Sequence, residues 1–436
     1  MKNNMKLTVL GMQHLLAMYA GAVIVPLIIG NGLGLTSEQL TYLVSIDILM
    51  CGVATLFQVM RGNVIGIGLP VVLGCTFTAV GPILAIGNEY GISAIYGSIL
   101  VSGVFVILIS RLFGHLVKFF PPVVTGSVVT IIGITLIPVA IHNMGGGQGA
   151  SDFGSLSNIL LAFGTLFFII LLYKFSTGFI RSIAILIGML GGTFAALFMG
   201  KVDFAPVQEA SLLHVAQPFY FGTPTFEWSA IITMILVAMV SLVESTGVYF
   251  ALGDICEKDL HKKDLVRGYR AEGLAIVFGG IFNAFPYTAF SQNVGLVQMT
   301  GVRSRKVIGI TGVMLIILGF FPKIAALTTI IPPSVLGGAM VAMFGMVVAQ
   351  GIKMLSKTIF DSQENALIVA CSVGMGLGVT VVPDIFHVLP TSIQILTSNG
   401  IVAGSFTAII LNIIFHMLPS TAKKKQVNLN GQEQLN

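Results

Sequence analysis

Phe285-Pro286-Tyr287-Thr288-Ala289-Phe290-Ser291-Gln292-Asn293-Val294-Gly295-Leu296-Val297-Gln298-Met299-Thr300-Gly301 decides how the rest of the chain is read. Apolar segments flank this stretch, yet it carries Pro286, Gly295 and Gly301, with a polar Ser291-Gln292-Asn293 triplet at its middle. An unpaired amide in hydrocarbon costs several kcal/mol, so a continuous lipid-facing helix does not hold three polar side chains there. The stretch must face protein or a polar cavity. Hydrophobic segments interrupted by Gly and Pro mark the places where membrane carriers build binding sites, because irregular backbone is tolerated where it lines a cavity.

The composition agrees. Of 436 residues, 55% are hydrophobic and only 9% charged, with a mean hydropathy of +0.97. Soluble domains carry about 25% charged residues, so the chain reads as an all-α polytopic membrane protein. The 51 glycines suit helices that approach closely in lipid. Cys51, Cys75, Cys256 and Cys371 are scattered without C-x-x-C spacing, which argues against a disulfide framework or a metal site, and no cofactor is indicated. The net charge of +5 points to membrane topology rather than nucleic acid. No cleavable signal peptide is expected, since the first apolar stretch runs from Thr8 past Ile29 and is long enough to span.

Segments able to cross the bilayer are read near 8–29, 39–60, 69–87, 91–110, 121–140, 156–173, 182–200, 229–252, 270–284, 287–300, 306–321, 330–351, 365–382 and 400–418. Fourteen segments put both termini on one side. With that side cytoplasmic, only Lys201 and Lys323 of the 22 basic residues fall outside, as the positive-inside rule requires. The polar loop Asp254–Arg270 reads as a solvated cytoplasmic linker. The tail 421–436, with Lys423 to Lys425, reads as disordered and topology-setting.

Segments three and ten are short and bracketed by helix breakers, Gly68 and Pro70 to Pro82 in one and Pro286 to Gly301 in the other. Each is expected to be half extended and half helical. Phe119-Phe120-Pro121-Pro122 recurs as Ile330-Ile331-Pro332-Pro333, and Cys75-Thr76-Phe77-Thr78-Ala79 echoes Thr288-Ala289-Phe290-Ser291-Gln292. Seven segments per half is an odd number, so the halves are expected to be inverted repeats, with the site where the two broken segments meet.

Ionisable residues within spans are costly and mark function. Four stand out: His14, Asp47, Glu244 and Glu272. Glu244 lies deep in segment eight, where a carboxylate accepts hydrogen bonds from ring N–H groups of a heterocycle. The Gln292 amide offers a donor and an acceptor for a neighbouring C=O/N–H edge. Phe77 supplies an aromatic face for stacking. Asp47 has no role assignable from the sequence; a structural hydrogen bond and a place in a proton relay both stay open.

Gln292-Asn293-Val294-Gly295, four residues, then Thr300-Gly301 resembles the signature of the nucleobase-ascorbate transporter family, Gln/Glu/Pro-Asn-x-Gly-x4-Thr-Arg/Lys/Gly. The likeness covers essentially the whole chain and is closest to the bacterial xanthine permeases. It implies that Glu244 and Gln292 hold the base, that Phe77 stacks on it, and that the backbone near Ser291, beside Asn293, adds donors. It also implies that Glu272, where the family often has Asp, matters for proton coupling, and that His14 supports the site from behind. Many relatives carry a titratable residue one turn after the segment-eight glutamate. Here that position is Val248, which leaves coupling to Glu244 and Glu272.

In the family, Gln at position 292 goes with xanthine or urate and Glu with uracil, so proton symport of xanthine is expected, with uric acid second. Alternating access is expected between a core, residues 5–118 and 228–325, and a gate, residues 119–200 and 326–420. The family's habit of pairing sets the expectation of a homodimer in the cell membrane. An anion exchanger of the same architecture would favour a cation at helix N-termini over a central carboxylate. A membrane enzyme would need a nucleophile or metal constellation, and the seven His are isolated.

Overall fold

The computed structural model describes residues 2–116, 120–147, 149–356, 358, 362–390, 394, 397 and 399–418. Lys118 and Phe119, at the expected core–gate boundary, and the tail 421–436 lie outside the described residues. In the first half, α1 (Lys2–Gly32) and α2 (Ser37–Val59) lead to strand β1 (Leu73–Cys75), a single 3-10 turn (Phe77–Ala79) and α3 (Val80–Tyr90). Then come α4 (Ile92–Leu116), α5 (Pro122–Met144), α6 (Leu156–Phe175), the short α7 (Gly178–Ser182), α8 (Ala184–Phe198) and α9 (Ala205–Glu209). The second half runs α10 (Trp228–Ile255), α11 (Lys262–Phe282), strand β2 (Tyr287–Ala289), α12 (Ser291–Thr300), α13 (Arg305–Gly319), α14 (Pro322–Thr329), α15 (Pro333–Leu355), α16 (Gln363–Val381) and α17 (Gly400–Asn412).

Every expected segment falls on one of these elements. Among the described residues, however, nine helices are long and apolar enough to cross a membrane unaided, or ten if α13 and α14, bent by 82° at their junction, count as one span. The remainder fall short for physical reasons. α8 is only 15 residues long, α3 and α12 are shorter still, and α11 begins at Lys262 rather than near Arg270, so it carries the charges of the expected loop. Pro322 at the first turn of α14 ends the span where the sequence suggested, but the chain re-enters a helix rather than a loop.

The repeat is visible in atomic contacts. α5 and α15 each run 23 residues from a Pro-Pro start, and each packs on the other in antiparallel fashion. A methyl added at Gly126 would stand 2.7 Å from Leu355, and its repeat mate Gly337 would place one 2.3 Å from the Met144 backbone. The same reciprocity holds for α4 with α11 through Gly103 and Gly273, and for α2 with α13 through Gly52 and Gly312. Small residues let these backbones touch, which is how helices associate where lipid offers no hydrophobic drive between them.

Lys201, one of the two basic residues expected outside, is matched locally. Its ammonium donates to Asp152 Oδ2 at 2.8 Å and to Asn158 Oδ1 at 2.7 Å. The Lys201 hydrogen bond holds the exposed Asp152 carboxyl below its ordinary range.

Candidate functional site: the crossing of two broken segments

β1 and β2 pair antiparallel, with Leu73 opposite Ala289, Gly74 opposite Thr288 and Cys75 opposite Tyr287. Flanking bonds extend the ladder at both ends: Thr76 N–H donates to the Pro286 carbonyl at 2.9 Å and Phe290 N–H to the Val72 carbonyl at 3.0 Å. Such a pair satisfies the extended backbone that lipid could not. From the strands the chain turns into α3 and α12, whose N-terminal ends, the positive ends of their dipoles, lie at the crossing. The half-extended, half-helical form expected of segments three and ten is what the structure shows.

α10 is tied to both strands by residues one turn apart. Ser241 donates to Thr76 Oγ1 at 3.3 Å, and Ser245 Oγ lies 3.1 Å from Thr288 Oγ1 while accepting from Ala289 N–H at 3.0 Å. Between these serines, half-buried Glu244 turns its carboxyl to the Thr288 hydroxyl. α10 also packs against the 3-10 turn that carries Phe77 and against α12, so Glu244, Phe77, Ser291 and Gln292 belong to elements that meet at one locus.

The two amides of the signature part ways. Gln292 is exposed, as are Gly295 and Gln298 on the same face of α12, whereas Asn293 is buried. Asn293 Nδ2 stands 3.1 Å from His14 Nδ1 and donates to the His14 carbonyl at 3.1 Å, which fastens α12 to α1. His14 and Asn293, separated by 279 positions in the chain, are thus brought together; the Asn293 amide nitrogen is committed to protein, while its Oδ1 is buried without a partner. Gly295 has no atom within 4 Å of where a methyl would sit, so its smallness serves to keep the face beside Gln292 open. Gly301 ends α12 at φ 65°, a left-handed conformation that glycine adopts without strain.

Phe77 is 9% exposed, and its ring meets Phe344 of α15 edge to face at 5.7 Å. It therefore stands between the crossing and the helices of the second Pro-Pro repeat. Beside it a cavity of about 340 Å³ opens between α10 on one side and α17 on the other, lined by Val237, Val240, Ile401 and Phe406. Among the described residues only Thr78 and Ser405 bring hydroxyls to it, and both hydroxyls are buried without a partner.

Glu272 is fully buried and accepts a hydrogen bond from the Tyr249 hydroxyl, which in turn accepts from Gln58 Nε2 at 2.6 Å. Its other contact is the Ser245 hydroxyl. The Ser245 and Thr288 hydroxyls, 3.1 Å apart, therefore stand between Glu272 and Glu244 where α11, α10 and β2 meet. Arg270, two residues before Glu272 on α11, donates to Ser110 at 3.3 Å. Gln58 and Tyr249 escaped the sequence reading, although an amide inside an apolar span is itself a signal. Asp47 is also fully buried; it accepts from the Cys75 thiol of β1 and, at 3.1 Å, from the Phe285 N–H that leads into β2. It clamps the two broken segments where they cross.

A family profile described as "Permease family" matches residues 5–385. The chain is 67% identical over 425 residues to the xanthine permease of Bacillus subtilis (strain 168), covering 98% of this chain and 97% of that protein. It is 63% identical to the nucleobase transporter PlUacP of Paenibacillus larvae, over 97% of this chain and 96% of the other, and 62% identical to the uric acid permease PucK of Bacillus subtilis, over 95% and 96%. Among solved structures, the transmembrane domain of the cyanobacterial bicarbonate transporter BicA superposes with a TM-score of 0.64 at 15% identity, over 89% of this chain and 96% of that one. SLC26A9 does so with a TM-score of 0.59, also at 15% identity, over 92% and 65%. The structural likeness concerns fold alone, and the sequence likeness identifies the lineage: the chain belongs to the nucleobase-ascorbate transporter family, a purine nucleobase permease rather than an enzyme.

Proposed function

We propose that the protein imports xanthine into the cell by proton symport, with uric acid as the second substrate. The observation that carries this reading is that Glu244 faces Thr288 in β2, three residues before α12, at the strand crossing where Gln292 is exposed and Asn293 is not. Relatives at 67% and 62% identity are a xanthine permease and a uric acid permease, which supports an oxidised purine over uracil.

In this reading the Glu244 carboxylate accepts ring N–H groups, the Gln292 amide reads a C=O/N–H edge, and backbone N–H groups at Ser291 and Gln292 add donors. Phe77 covers the ring. Residues 5–118 and 228–325 carry the substrate as a core and move against a gate of residues 119–200 and 326–420. The apolar cavity beside Thr78 supports that division, because a nearly unbonded interface breaks few hydrogen bonds when it slides. The Ser245 and Thr288 hydroxyls between Glu272 and Glu244 are the groups through which a proton would pass from one carboxyl to the other, and a carboxylate carried across unpaired is expensive. Val248 leaves no titratable group one turn beyond Glu244; the Tyr249 phenol, held by Gln58 against Glu272, stands in that neighbourhood instead.

Uptake of labelled xanthine into cells lacking their own purine carriers tests the proposal. Competition by unlabelled xanthine and uric acid, little competition by uracil, and collapse on adding a protonophore are expected. Competition by uracil equal to that by xanthine would sink the assignment of Gln292.

A further inference from the structure

We propose that Asp47, Cys51 and Cys75 form a binding site for a thiophilic divalent cation, with zinc as the natural occupant. The ligand atoms of the three residues all lie within 4.8 Å of one another, and all three residues are fully buried. The two sulfurs are 4.0 Å apart. Two thiolates at about 2.3 Å from a tetrahedral zinc ion stand about 3.8 Å apart, so the pair already has the separation of one edge of that tetrahedron. The Asp47 carboxylate supplies a third donor beside Cys75, which it contacts now through the thiol hydrogen.

A buried polar group stands on the same side of the ladder. Tyr287 is the cross-strand partner of Cys75, so both side chains leave the ladder on the same face. It is 0% exposed, and its hydroxyl is buried with no partner. The Ala22 carbonyl, 3.8 Å from the Cys75 sulfur, also borders the site.

Charge favours a divalent ion. Binding one divalent cation to two thiolates and the carboxylate releases the protons the cluster holds and leaves one negative charge. A monovalent ion bound to the same ligands would add a buried charge, which is costly. A disulfide between Cys51 and Cys75 would instead leave the Asp47 carboxylate with the Phe285 N–H alone. Because no ligand is exposed, the ion enters as the chain folds and then exchanges slowly with chelators. Once bound, it pins α2 to β1 and, through the cross-strand pair, to β2.

Elemental analysis of the purified full-length protein, from cells grown with added zinc and dialysed exhaustively against EDTA in detergent, tests the site. One zinc ion per chain is expected in the wild type and in Cys256→Ser and Cys371→Ser, with loss in Cys51→Ser and Cys75→Ser. Protein prepared with cobalt in place of zinc should show the thiolate-to-cobalt charge-transfer absorption, which decides the matter on the wild type alone if either variant fails to fold. Substoichiometric zinc with four free thiols, zinc that persists in the Cys51→Ser/Cys75→Ser double variant, or a Cys51–Cys75 disulfide found by thiol titration would each overturn it.

Discussion

Xanthine uptake by Glu244→Ala is expected to fall by at least about 100-fold while the protein reaches the membrane at its normal level. In the proposed complex the carboxylate accepts two ring N–H groups, and charge-assisted bonds of about 1.5–3 kcal/mol each correspond to about 10²- to 10⁴-fold in affinity. Folding should tolerate the change, because Glu244 is only half-buried and its one protein partner, Thr288, keeps bonds to Ser245 and the Ser241 carbonyl. Glu244→Gln separates binding from coupling: the amide keeps one acceptor but cannot ionise, so residual uptake should be insensitive to a protonophore. Surface labelling alongside initial-rate uptake reads both variants, and near-normal uptake by Glu244→Ala contradicts the assignment.

The second large effect is expected at Gly74, which has no side chain of its own at the crossing. It pairs with Thr288 in the strand crossing, and a methyl there would sit 2.2 Å from the Phe290 ring. Phe290 is 4% exposed and caps the start of α12, so it has nowhere to go without displacing Ser291 and Gln292. Overpacking of this kind costs about 1–3 kcal/mol, and more where the backbone must move. Gly74→Val should therefore lower the midpoint of thermal unfolding in detergent and abolish uptake, with Gly74→Ala intermediate. Wild-type transport by Gly74→Val would mean that the crossing is looser than its contacts indicate.

The strand crossing was legible in the sequence because its breakers are local. Pro286 and Gly301 bracket one segment and Gly68, Pro70 and Pro82 the other, and the Pro-Pro repeat announced two related halves. What the sequence hid were partners far apart in the chain. Asp47 finds Phe285 across 238 positions and Gln58 finds Tyr249 across 191, and no periodicity encodes such meetings. Cys51 and Cys75, scattered in the sequence, likewise come together beside Asp47 only once β1 is laid against α2. Asn293 looked like Gln292 in sequence, two amides side by side, yet a helix turns neighbouring residues to different faces and gives one to His14 and leaves the other exposed. The start of α11 was misjudged because charges at Lys262, Lys263, Asp264 and Arg267 read as loop, whereas Asp264 N–H and the His261 N–H are satisfied in a capped first turn.

The account rests on proton-driven movement of a purine. Its most direct test is accumulation of labelled xanthine by the purified protein in proteoliposomes under an imposed pH gradient, acidic outside. Accumulation above the external concentration, abolished by dissipating the gradient and absent with Glu244→Gln, is the predicted result. Xanthine that merely equilibrates, at the same rate with or without the gradient, would contradict it.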